Sequence, residues 1–379
     1  MLSARDTIVS LNRFMLTLET GKLRRKLKDW FAEEQRDLPW RKTSNPYFIW
    51  VSEVMLQQTQ VRTVIPYYLH FIDRFPTIDA LAASDLNDVL KCWEGLGYYA
   101  RARNLQKAAK IVSSEYHSQV PEDYGVFLKL PGVGDYIAAA VQSIAFGKPI
   151  ATVDGNVKRV LSRLFMIDQP INQSNGKNHF VEVAAKILDV KNAGDFNQAM
   201  MELGALICKP STPVCAECPL SQFCQAFKHN TIAEFPKRIK RKPVPSVNIA
   251  VGVVLKNEQM LITLRKAEGL LGGLWEFPGG KIEAGESAEQ ACVREIKEES
   301  NLEIKVERSL TVIRHAYTHF KIVMEVFICQ HLSGRVRLDG PVDHRWIGFK
   351  EIEKYPFPKA NHKVFPILEN YLQHKAKNH

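Results

Sequence analysis

Four of the seven cysteines stand close together near the middle of the chain. They are Cys208, Cys215, Cys218 and Cys224, in the spacing C-x6-C-x2-C-x5-C. Four thiolates that converge on one point can hold either zinc or a cubane iron–sulfur cluster. Zinc sites usually pair two CxxC hairpins, whereas this chain has one such pair, with the outer cysteines spread as if around a larger object. The spacing therefore favours an iron–sulfur cluster.

A second group with chemical potential is a set of three glutamates, Glu295, Glu298 and Glu299. They stand at positions i, i+3 and i+4, so on one helix their carboxylates lie on the same face. Such a face can bind Mg²⁺ and support attack on a pyrophosphate. The alternative interpretation is an ordinary acidic helix face in contact with solvent.

The stretch Leu130–Gly134 (LPGVG) predicts a hairpin between two helices. Its two glycines allow positive φ angles and a close approach of the backbone to another molecule. The helix that follows would present N–H groups at its N-terminus to a phosphate. Asp154 comes about 20 residues later and supplies a carboxylate. A plain helix–helix turn is the alternative interpretation of the hairpin.

Hairpin, aspartate and four cysteines, in that order, resemble the endonuclease III superfamily of DNA glycosylases over about residues 30–225. The resemblance implies an all-α helix–hairpin–helix domain that ends in a [4Fe–4S] module. Members that also cut the DNA backbone carry a lysine nucleophile two residues after the second hairpin glycine. Tyr136 occupies that position here, and a phenol cannot form a Schiff base. We therefore expect a glycosylase without an efficient lyase step.

The helix Ser52–Val61 resembles the signature helix of the adenine DNA glycosylases, as do the stretches Leu38–Arg41 and Gly95–Arg103. The resemblance implies excision of adenine mispaired with 8-oxoguanine or guanine in double-stranded DNA. Glu53 stands among apolar neighbours in this helix. A carboxyl group in such surroundings keeps its proton above its usual pKa, as a general acid must.

The resemblance also implies roles for individual residues. Adenine leaves once N7 is protonated, and the bond to the sugar then breaks to give an oxocarbenium-like ion. Glu53 would donate the proton and later help to activate water, and Asp154 would stabilise the cation. Base flipping requires wedge residues and a pocket for the extruded base. The remaining implied contacts are Asn156 and Tyr136 at the sugar and water, Trp40, Arg41 and Gln198 in the adenine pocket, and Gln58 and Tyr98 as wedges.

The C-terminal half resembles the Nudix fold, in the MutT-like form that reads 8-oxoguanine opposite the adenine. Its implied lesion-reading loop contains Thr318 and His319, with threonine where serine is usual; the hydroxyl is retained. The Nudix box is intact from Gly280 to Leu302 except that Asn301 replaces a glycine, and asparagine is the next best residue for a left-handed backbone. One interpretation is a Mg²⁺-dependent pyrophosphohydrolase, with Glu295, Glu298 and Glu299 as ligands. The alternative is a relic that only reads DNA.

Apolar periodicity predicts helices over residues 21–225, whereas β-rich stretches begin at position 247, with a helix near 287–299. The fold class is therefore multi-domain: an all-α glycosylase with an iron–sulfur module, followed by an α/β Nudix-like domain. The predicted bounds are an N-terminal extension (1–20), the glycosylase domain (21–227, with the iron–sulfur module at about 195–227), a basic linker (228–246) and the Nudix-like domain (247–379).

The net charge of +10 is concentrated in the linker, where five of the six residues from Lys237 to Lys242 are basic. Such a run is either a solvated linker or an attraction for phosphates. The sequence shows no signal peptide and no apolar run long enough for a membrane span, so we expect a cytoplasmic monomer at the bacterial nucleoid. Two other functions stay open: a lyase acting on oxidised pyrimidines, and a non-catalytic lesion sensor.

Overall fold

The computed structural model describes residues 20–173, 177–240, 243–317 and 320–377. By their internal contacts these residues form two compact units. The helical unit holds the described residues up to Ile72 and those from Ile111 to position 240, and the sheet unit holds Asp73–Lys110 with the described residues from position 243. Asp73–Lys110 thus groups with the C-terminal residues. The domain bounds drawn from the sequence stay predictions.

Helices account for the described chain before the sheet, as the apolar periodicity predicts. None of the described helices is long and apolar enough to cross a membrane. The helices are α1 (Thr20–Glu34), α2 (Pro46–Leu56), α3 (Val61–Arg74), α4 (Ile78–Ala83), α5 (Leu86–Cys92), α6 (Ala100–Glu115), α7 (Tyr124–Leu128), α8 (Asp135–Phe146), α9 (Gly155–Phe165), α10 (Lys177–Ile187), α11 (Ala193–Leu206) and α12 (Gln225–Lys228).

The predicted hairpin is present between α7 and α8. Gly132 has a φ of 77°, which is the left-handed region that favours glycine, and Gly134 is the N-cap of α8. At its other end α8 stops at Gly147, again with a left-handed backbone. The hairpin glycines therefore determine where α8, and with it Tyr136 in its first turn, begins.

Helix α11 is the centre of the helical unit, because it packs against α1, α8 and α9. Gly204 permits the contact with α9. A Cβ atom at this position would lie 2.6 Å from the Cβ of Asn156 and 3.1 Å from the backbone of that residue. Only a residue without a side chain fits, so Gly204 sets how closely the first turn of α9 approaches α11.

The sheet unit is built on a seven-stranded sheet of order β3-β2-β1-β6-β5, with β4 paired to β1 and β7 paired to β2. Strands β1 and β6 are parallel, and the other pairs are antiparallel. The β-rich stretches and the helix predicted from the sequence are all confirmed. The elements are β1 (Ser246–Lys256), β2 (Gln259–Leu264), β3 (Trp275–Glu276), β4 (Gly279–Lys281), α13 (Ala288–Ser300), β5 (Glu303–Ala316), β6 (Lys321–Ser333), β7 (Asp343–Ile347), α14 (Lys359–His362) and α15 (Phe365–Lys377).

Both faces of this sheet are covered, which is why β1 is buried over five consecutive residues. One face packs on a core that includes Phe357 and Leu368 from the C-terminal segment. The other face packs on α13 through Cys292 and Ile296. Gly252 of β1 lies directly under α13, where a Cβ atom would collide with the Ile296 side chain. The glycine therefore lets the helix lie close to the sheet.

Candidate active site

Glu53 lies on α2, a helix that the sequence builds for burial. The side chain of Asn45 caps its N-terminus by accepting a hydrogen bond from the backbone N–H of Tyr47 at 2.9 Å, and Pro46 occupies the first helical position. Most of the helix is buried, so apolar side chains surround it on nearly every side. The Glu53 side chain is consequently only 5% exposed.

The Glu53 carboxyl and the Tyr136 hydroxyl form a short hydrogen bond of 2.5 Å, with the tyrosine as donor. Burial raises the pKa of Glu53 to about 7, and nearby Asp154 adds to the rise, while Tyr136 and Arg41 oppose it. Burial, with Glu53 close by, also holds the pKa of Tyr136 well above its ordinary value, so the phenol keeps its proton. Glu53 can therefore gain and lose a proton near neutral pH.

Asp154 is the N-cap of α9. One of its carboxylate oxygens accepts from the Val157 backbone N–H at 2.7 Å, and the other accepts from the Asn156 amide at 2.8 Å. Burial raises the pKa of Asp154, and these hydrogen bonds counteract that rise. The helix N-terminus adds a further preference for negative charge. The Asn156 amide is itself oriented by Arg159, which donates to its oxygen at 2.8 Å.

These groups open onto one cavity of about 150 Å³ within the helical unit. The four residues predicted to be catalytic line it together with three of those predicted to contact substrate. They are Trp40, Arg41, Glu53, Tyr136, Asp154, Asn156 and Gln198.

Sequence reasoning missed Glu202, which also lines this cavity. Its side chain is 1% exposed and accepts hydrogen bonds from Arg36 at 2.6 Å and from Arg41 at 2.9 Å. Burial alone would raise the pKa of Glu202, but the two guanidinium groups outweigh it and lower the pKa to about 2. Glu202 follows Gln198 by four residues on α11, so the shared helix face was a usable signal. Its pairing with Arg36, which lies 166 positions away in the sequence, could not be predicted from a local pattern.

The two predicted wedge residues do not line the cavity, and each has an unusual backbone. Gln58, just after α2 in the helical unit, has a φ of 58°, and Tyr98 in the sheet unit has a φ of 51°. A left-handed backbone at a non-glycine residue costs on the order of 1–3 kcal/mol and persists only where the surroundings fix it. Such positions cluster at functional sites.

The cysteine-rich loop is attached to α9 by two arginines one helical turn apart. Arg163 donates to the carbonyl oxygens of Lys209 and Pro210 at 2.7 and 2.8 Å and contacts the Cys208 sulfur at 3.3 Å. Arg159 donates to the Cys208 carbonyl oxygen at 2.7 Å. Because Arg159 also orients Asn156, the loop and the Asp154 site share one supporting side chain.

The four cysteines of this loop lie close enough to influence one another. Burial raises the pKa of Cys218 to about 12, and the nearby thiols of Cys208, Cys224 and Cys215 contribute to the rise. Within the described part of the chain, no group of three or more His, Cys, Asp or Glu side chains is arranged around a single metal ion. A cubane cluster is wider than one ion, and four half-buried thiols on one short loop are the donors it requires.

The three Nudix-box glutamates lie on α13, whose C-cap Asn301 has the expected left-handed backbone, with a φ of 58°. Arg294 pairs with Glu295 and Glu298, each at 3.1 Å. Glu299 points elsewhere and accepts from the Gly279 backbone N–H at 3.2 Å. The structure thus places the three carboxylates on one helix without gathering them around one ion, and their role as Mg²⁺ ligands stays a prediction.

Thr318 and His319 lie outside the described residues. The residues on either side of them close the hairpin between β5 and β6, because the Tyr317 backbone N–H donates to the Phe320 carbonyl oxygen at 2.8 Å. The rings of Tyr317 and Phe320 stack with centroids 4.6 Å apart.

Comparison with known proteins gives matches for both halves of the chain. The family model described as "HhH-GPD superfamily base excision DNA repair protein" matches residues 51–186, and the NUDIX domain model matches residues 250–366. The adenine DNA glycosylase of Rattus norvegicus is 34% identical over 93% of this chain and 79% of its own length. That of Buchnera aphidicola subsp. Baizongia pistaciae is 35% identical over 76% and 80%. The solved structure of a thermostable thymine-DNA glycosylase is 29% identical and covers 55% of this chain and 97% of its own, with a TM-score of 0.51.

Fold, site and matches together define a base-excision-repair DNA N-glycosylase of the helix–hairpin–helix type, with a C-terminal Nudix domain. The predicted multi-domain fold class is confirmed. Within this class the chain belongs to the adenine DNA glycosylase family.

Proposed function

We propose that this protein excises adenine paired with 8-oxoguanine or guanine in double-stranded DNA, without an associated lyase step. One observation carries the proposal: Glu53, with its pKa raised to about 7, shares a cavity with Asp154 and is bonded to Tyr136. A protonated acid and a carboxylate in one enclosed site are what dissociative cleavage of an N-glycosidic bond requires.

Glu53 donates its proton to N7 of the extruded adenine, and the electron pair of the C–N bond leaves with the base. The sugar becomes an oxocarbenium-like cation, which the Asp154 carboxylate stabilises at short range. Glu53, now a carboxylate, accepts a proton from the water that attacks C1′. Tyr136 and Asn156 hold the sugar and this water.

Trp40, Arg41 and Gln198 line the pocket that receives the base. Trp40 packs edge-on against Tyr68, with centroids 5.3 Å apart, and Arg41 is fixed by Glu202. Because these contacts fix the side chains of the pocket wall, the wall does not need to reorganise when adenine enters.

The excision product distinguishes this function from that of a lyase. Duplexes with adenine opposite 8-oxoguanine, and others with adenine opposite guanine, are incubated with the full chain. Free adenine should appear with both substrates, and strand breaks should appear chiefly after hot alkali. Abundant borohydride-trapped protein–DNA complex would contradict the monofunctional assignment, since Tyr136 cannot form an imine. Excision of oxidised pyrimidines in place of adenine would contradict the substrate.

Double-stranded DNA in the nucleoid is the partner that this function requires, with the protein acting as a monomer. Gln58 and Tyr98 are the wedge residues, and the N-terminus of α8 and the basic linker attract phosphates. On this basis binding weakens as salt concentration rises, which a titration with the same duplexes measures.

Lesion reading is assigned to Thr318 and His319, which in the sequence stand between β5 and β6. The stacked rings of Tyr317 and Phe320 support this assignment, since they bring together the two residues that flank this pair in the sequence. A hydroxyl and an imidazole offer the donors and acceptors that distinguish the extra N7–H and O8 of 8-oxoguanine from guanine.

A [4Fe–4S] cluster is the cofactor we assign to Cys208, Cys215, Cys218 and Cys224. Four cysteine ligands leave no open coordination position, so its role is to shape the loop. Protein purified under anaerobic conditions should be brown and contain iron and inorganic sulfide. Zinc in stoichiometric amount without iron would contradict the assignment.

Mg²⁺-dependent pyrophosphate hydrolysis is a second candidate function. Burial raises the pKa of Glu299 to about 7, and the neighbouring carboxylates of Glu276 and Glu295 add to it. A bound divalent cation would offset the repulsion between Glu299 and these neighbouring carboxylates. The full chain is incubated with 8-oxo-dGTP and Mg²⁺, beside its Glu298→Gln variant as the control. Pyrophosphate release no greater than that of the variant would leave the domain with lesion reading alone.

A further inference from the structure

The turn that carries Tyr98 connects α5 to α6 inside the sheet unit. It is strongly bent, since Gly95 and Gly97 have φ angles of 91° and 79° and Tyr98 has one of 51°. The guanidinium of Arg101 lies over the Tyr98 ring, 5.5 Å from its centroid. Glycines adopt such angles readily, whereas a tyrosine does so only where its surroundings hold it there.

Both ends of this turn are bonded to the backbone of one residue, Phe357. Before the turn, the Glu94 carboxylate accepts a hydrogen bond from the Phe357 N–H at 2.7 Å. After it, the Tyr99 hydroxyl lies 3.4 Å from the Phe357 carbonyl oxygen as a donor. The same hydroxyl accepts from the Gly95 N–H at 3.2 Å. We call Glu94, Tyr99 and Phe357 the Phe357 clip.

Each member of the clip is itself fixed. Phe357 is fully buried in the core of the sheet, where its ring packs against Phe277 and Phe365. Glu94 also pairs with Lys91 at 2.6 Å and with His362 at 3.0 Å. The clip therefore connects the bent turn to the buried core of the Nudix domain.

Further contacts around the clip join Asp73–Lys110 to the C-terminal residues of the sheet unit. The Trp275 indole donates to the Asn87 side chain at 3.1 Å, and Asn87 donates in turn to the Lys354 carbonyl oxygen at 3.2 Å. Arg103 is buried and donates to the Gly272 carbonyl oxygen at 2.5 Å. Asp73–Lys110 is thus held against the C-terminal domain at several points, and the clip is the point that contacts both ends of the turn.

We propose that Glu94 and Tyr99 are positioning residues: through them the Nudix domain holds Tyr98 in the strained backbone with which it wedges the duplex. The inference rests on the proposed function. The C-terminal domain then has a second role besides lesion reading, because it also fixes the position of Tyr98, the residue that separates the bases. Neither residue touches the reacting atoms, so their loss should leave the chemistry of Glu53 unchanged.

The test compares the full chain with Glu94→Ala and Tyr99→Phe variants, the second of which removes a single hydroxyl. The duplex holds adenine opposite 8-oxoguanine, with 2-aminopurine beside the 8-oxoguanine to report unstacking by fluorescence. Asn87→Ala is the matched control, since it breaks contacts in the same interface outside the clip. Single-turnover adenine release is followed across pH with the same proteins.

Wild type and Asn87→Ala should show the fluorescence rise on binding, whereas both clip variants should lose at least half of it. Their adenine release should fall by up to about a hundredfold, the loss that a misplacement of about 1 Å can cause. The midpoint of the pH profile should not move, which separates loss of the wedge from damage to the excision cavity.

Clip variants that match wild type in both signals would overturn the inference while the proposed function stands. Equal losses in Asn87→Ala would also overturn it, since general docking would then explain the effect. A wild-type chain that releases no adenine would instead refute the proposed function.

Discussion

In the proposed function, Glu53 has to meet two demands that conflict for an ordinary glutamate: it must hold a proton at neutral pH and then act as a carboxylate. Burial among the side chains of α2 meets the first demand by raising its pKa to about 7. The hydrogen bond from Tyr136 meets the second, because it stabilises the charged form. The pKa of Glu53 is thus set by two opposing effects: burial favours the protonated acid, and the Tyr136 hydroxyl favours the carboxylate.

The pH dependence of excision follows from this balance. Glu53 must be protonated to donate to adenine, so the rate should fall as pH rises through about 7, by about tenfold per unit well above that value. Single-turnover release of adenine from an A:8-oxoguanine duplex measures it. A rate that stays level up to pH 9 would show that the proton comes from another group.

Removing the Tyr136 hydroxyl should shift the pH profile of adenine excision to higher pH. In Tyr136→Phe the charged form of Glu53 loses a hydrogen bond, so its pKa should rise and the alkaline limb should shift to higher pH. The maximal rate should fall as well, since the proposed function has the Tyr136 hydroxyl holding the sugar and the attacking water. The control is Tyr124→Phe, because Tyr124 does not line the cavity. A shift to lower pH would contradict the description of the pair.

At the scale of elements, the site depends on how closely α9 approaches α11. Asp154 and Asn156 stand at the start of α9, and Gly204 of α11 faces Asn156. Arg159 ties the same turn to the carbonyl oxygens of Gly204 and Cys208, each at 2.7 Å. The α9–α11 contact, the cysteine-rich loop and Asp154 therefore form one connected structure.

Gly204→Ala tests this contact. The added methyl group would overlap the Asn156 side chain, so the helices must separate, and overpacking of this kind costs about 1–3 kcal/mol of unfolding free energy. Adenine release should fall with it, because Asn156 supports Asp154. Urea unfolding and single-turnover kinetics measure the two effects. Gly21→Ala, with no atom near its added Cβ, is the control; equal behaviour of the two variants would refute the contact.

The elements themselves follow from the sequence to a large extent. Helical periodicity up to the cysteines, the hairpin at Gly132 and Gly134, and the strands from position 246 all depend on local patterns and are confirmed. The pairing of Glu202 with Arg36 and Arg41 could not be derived in this way. Such a pairing depends on how the segment after α1 meets α11, and no local pattern contains that information.

For the whole molecule, the least predictable feature is the grouping of Asp73–Lys110 with the C-terminal residues. In the chain this segment lies between two stretches of the helical unit, and its apolar periodicity is the same as theirs. Side chains such as Asn87 and Arg103, which bond to residues more than 160 positions away, reveal where it belongs. The four cysteines, by contrast, lie within 17 consecutive positions, so their spacing alone predicts that they share one loop.

Lesion discrimination is a question for the whole molecule, because the proposed function assigns lesion reading to the sheet unit and excision to the helical unit. The double variant Thr318→Ala/His319→Ala should lose more activity on A:8-oxoguanine than on A:G, since it removes groups that distinguish the oxidised base. The ratio of the two single-turnover efficiencies measures this. A loss of the same factor on both substrates would contradict the lesion-reading role of these two residues.

The central claim is that Glu53 supplies the proton that releases adenine, and Glu53→Gln tests it most directly. Glutamine keeps the size and the hydrogen-bonding capacity of the side chain but cannot donate an acidic proton. The variant should bind the A:8-oxoguanine duplex as tightly as wild type, while single-turnover release of free adenine falls about a thousandfold or more. Release within about tenfold of wild type, at equal binding, would contradict the account, because general-acid catalysis contributes more than that.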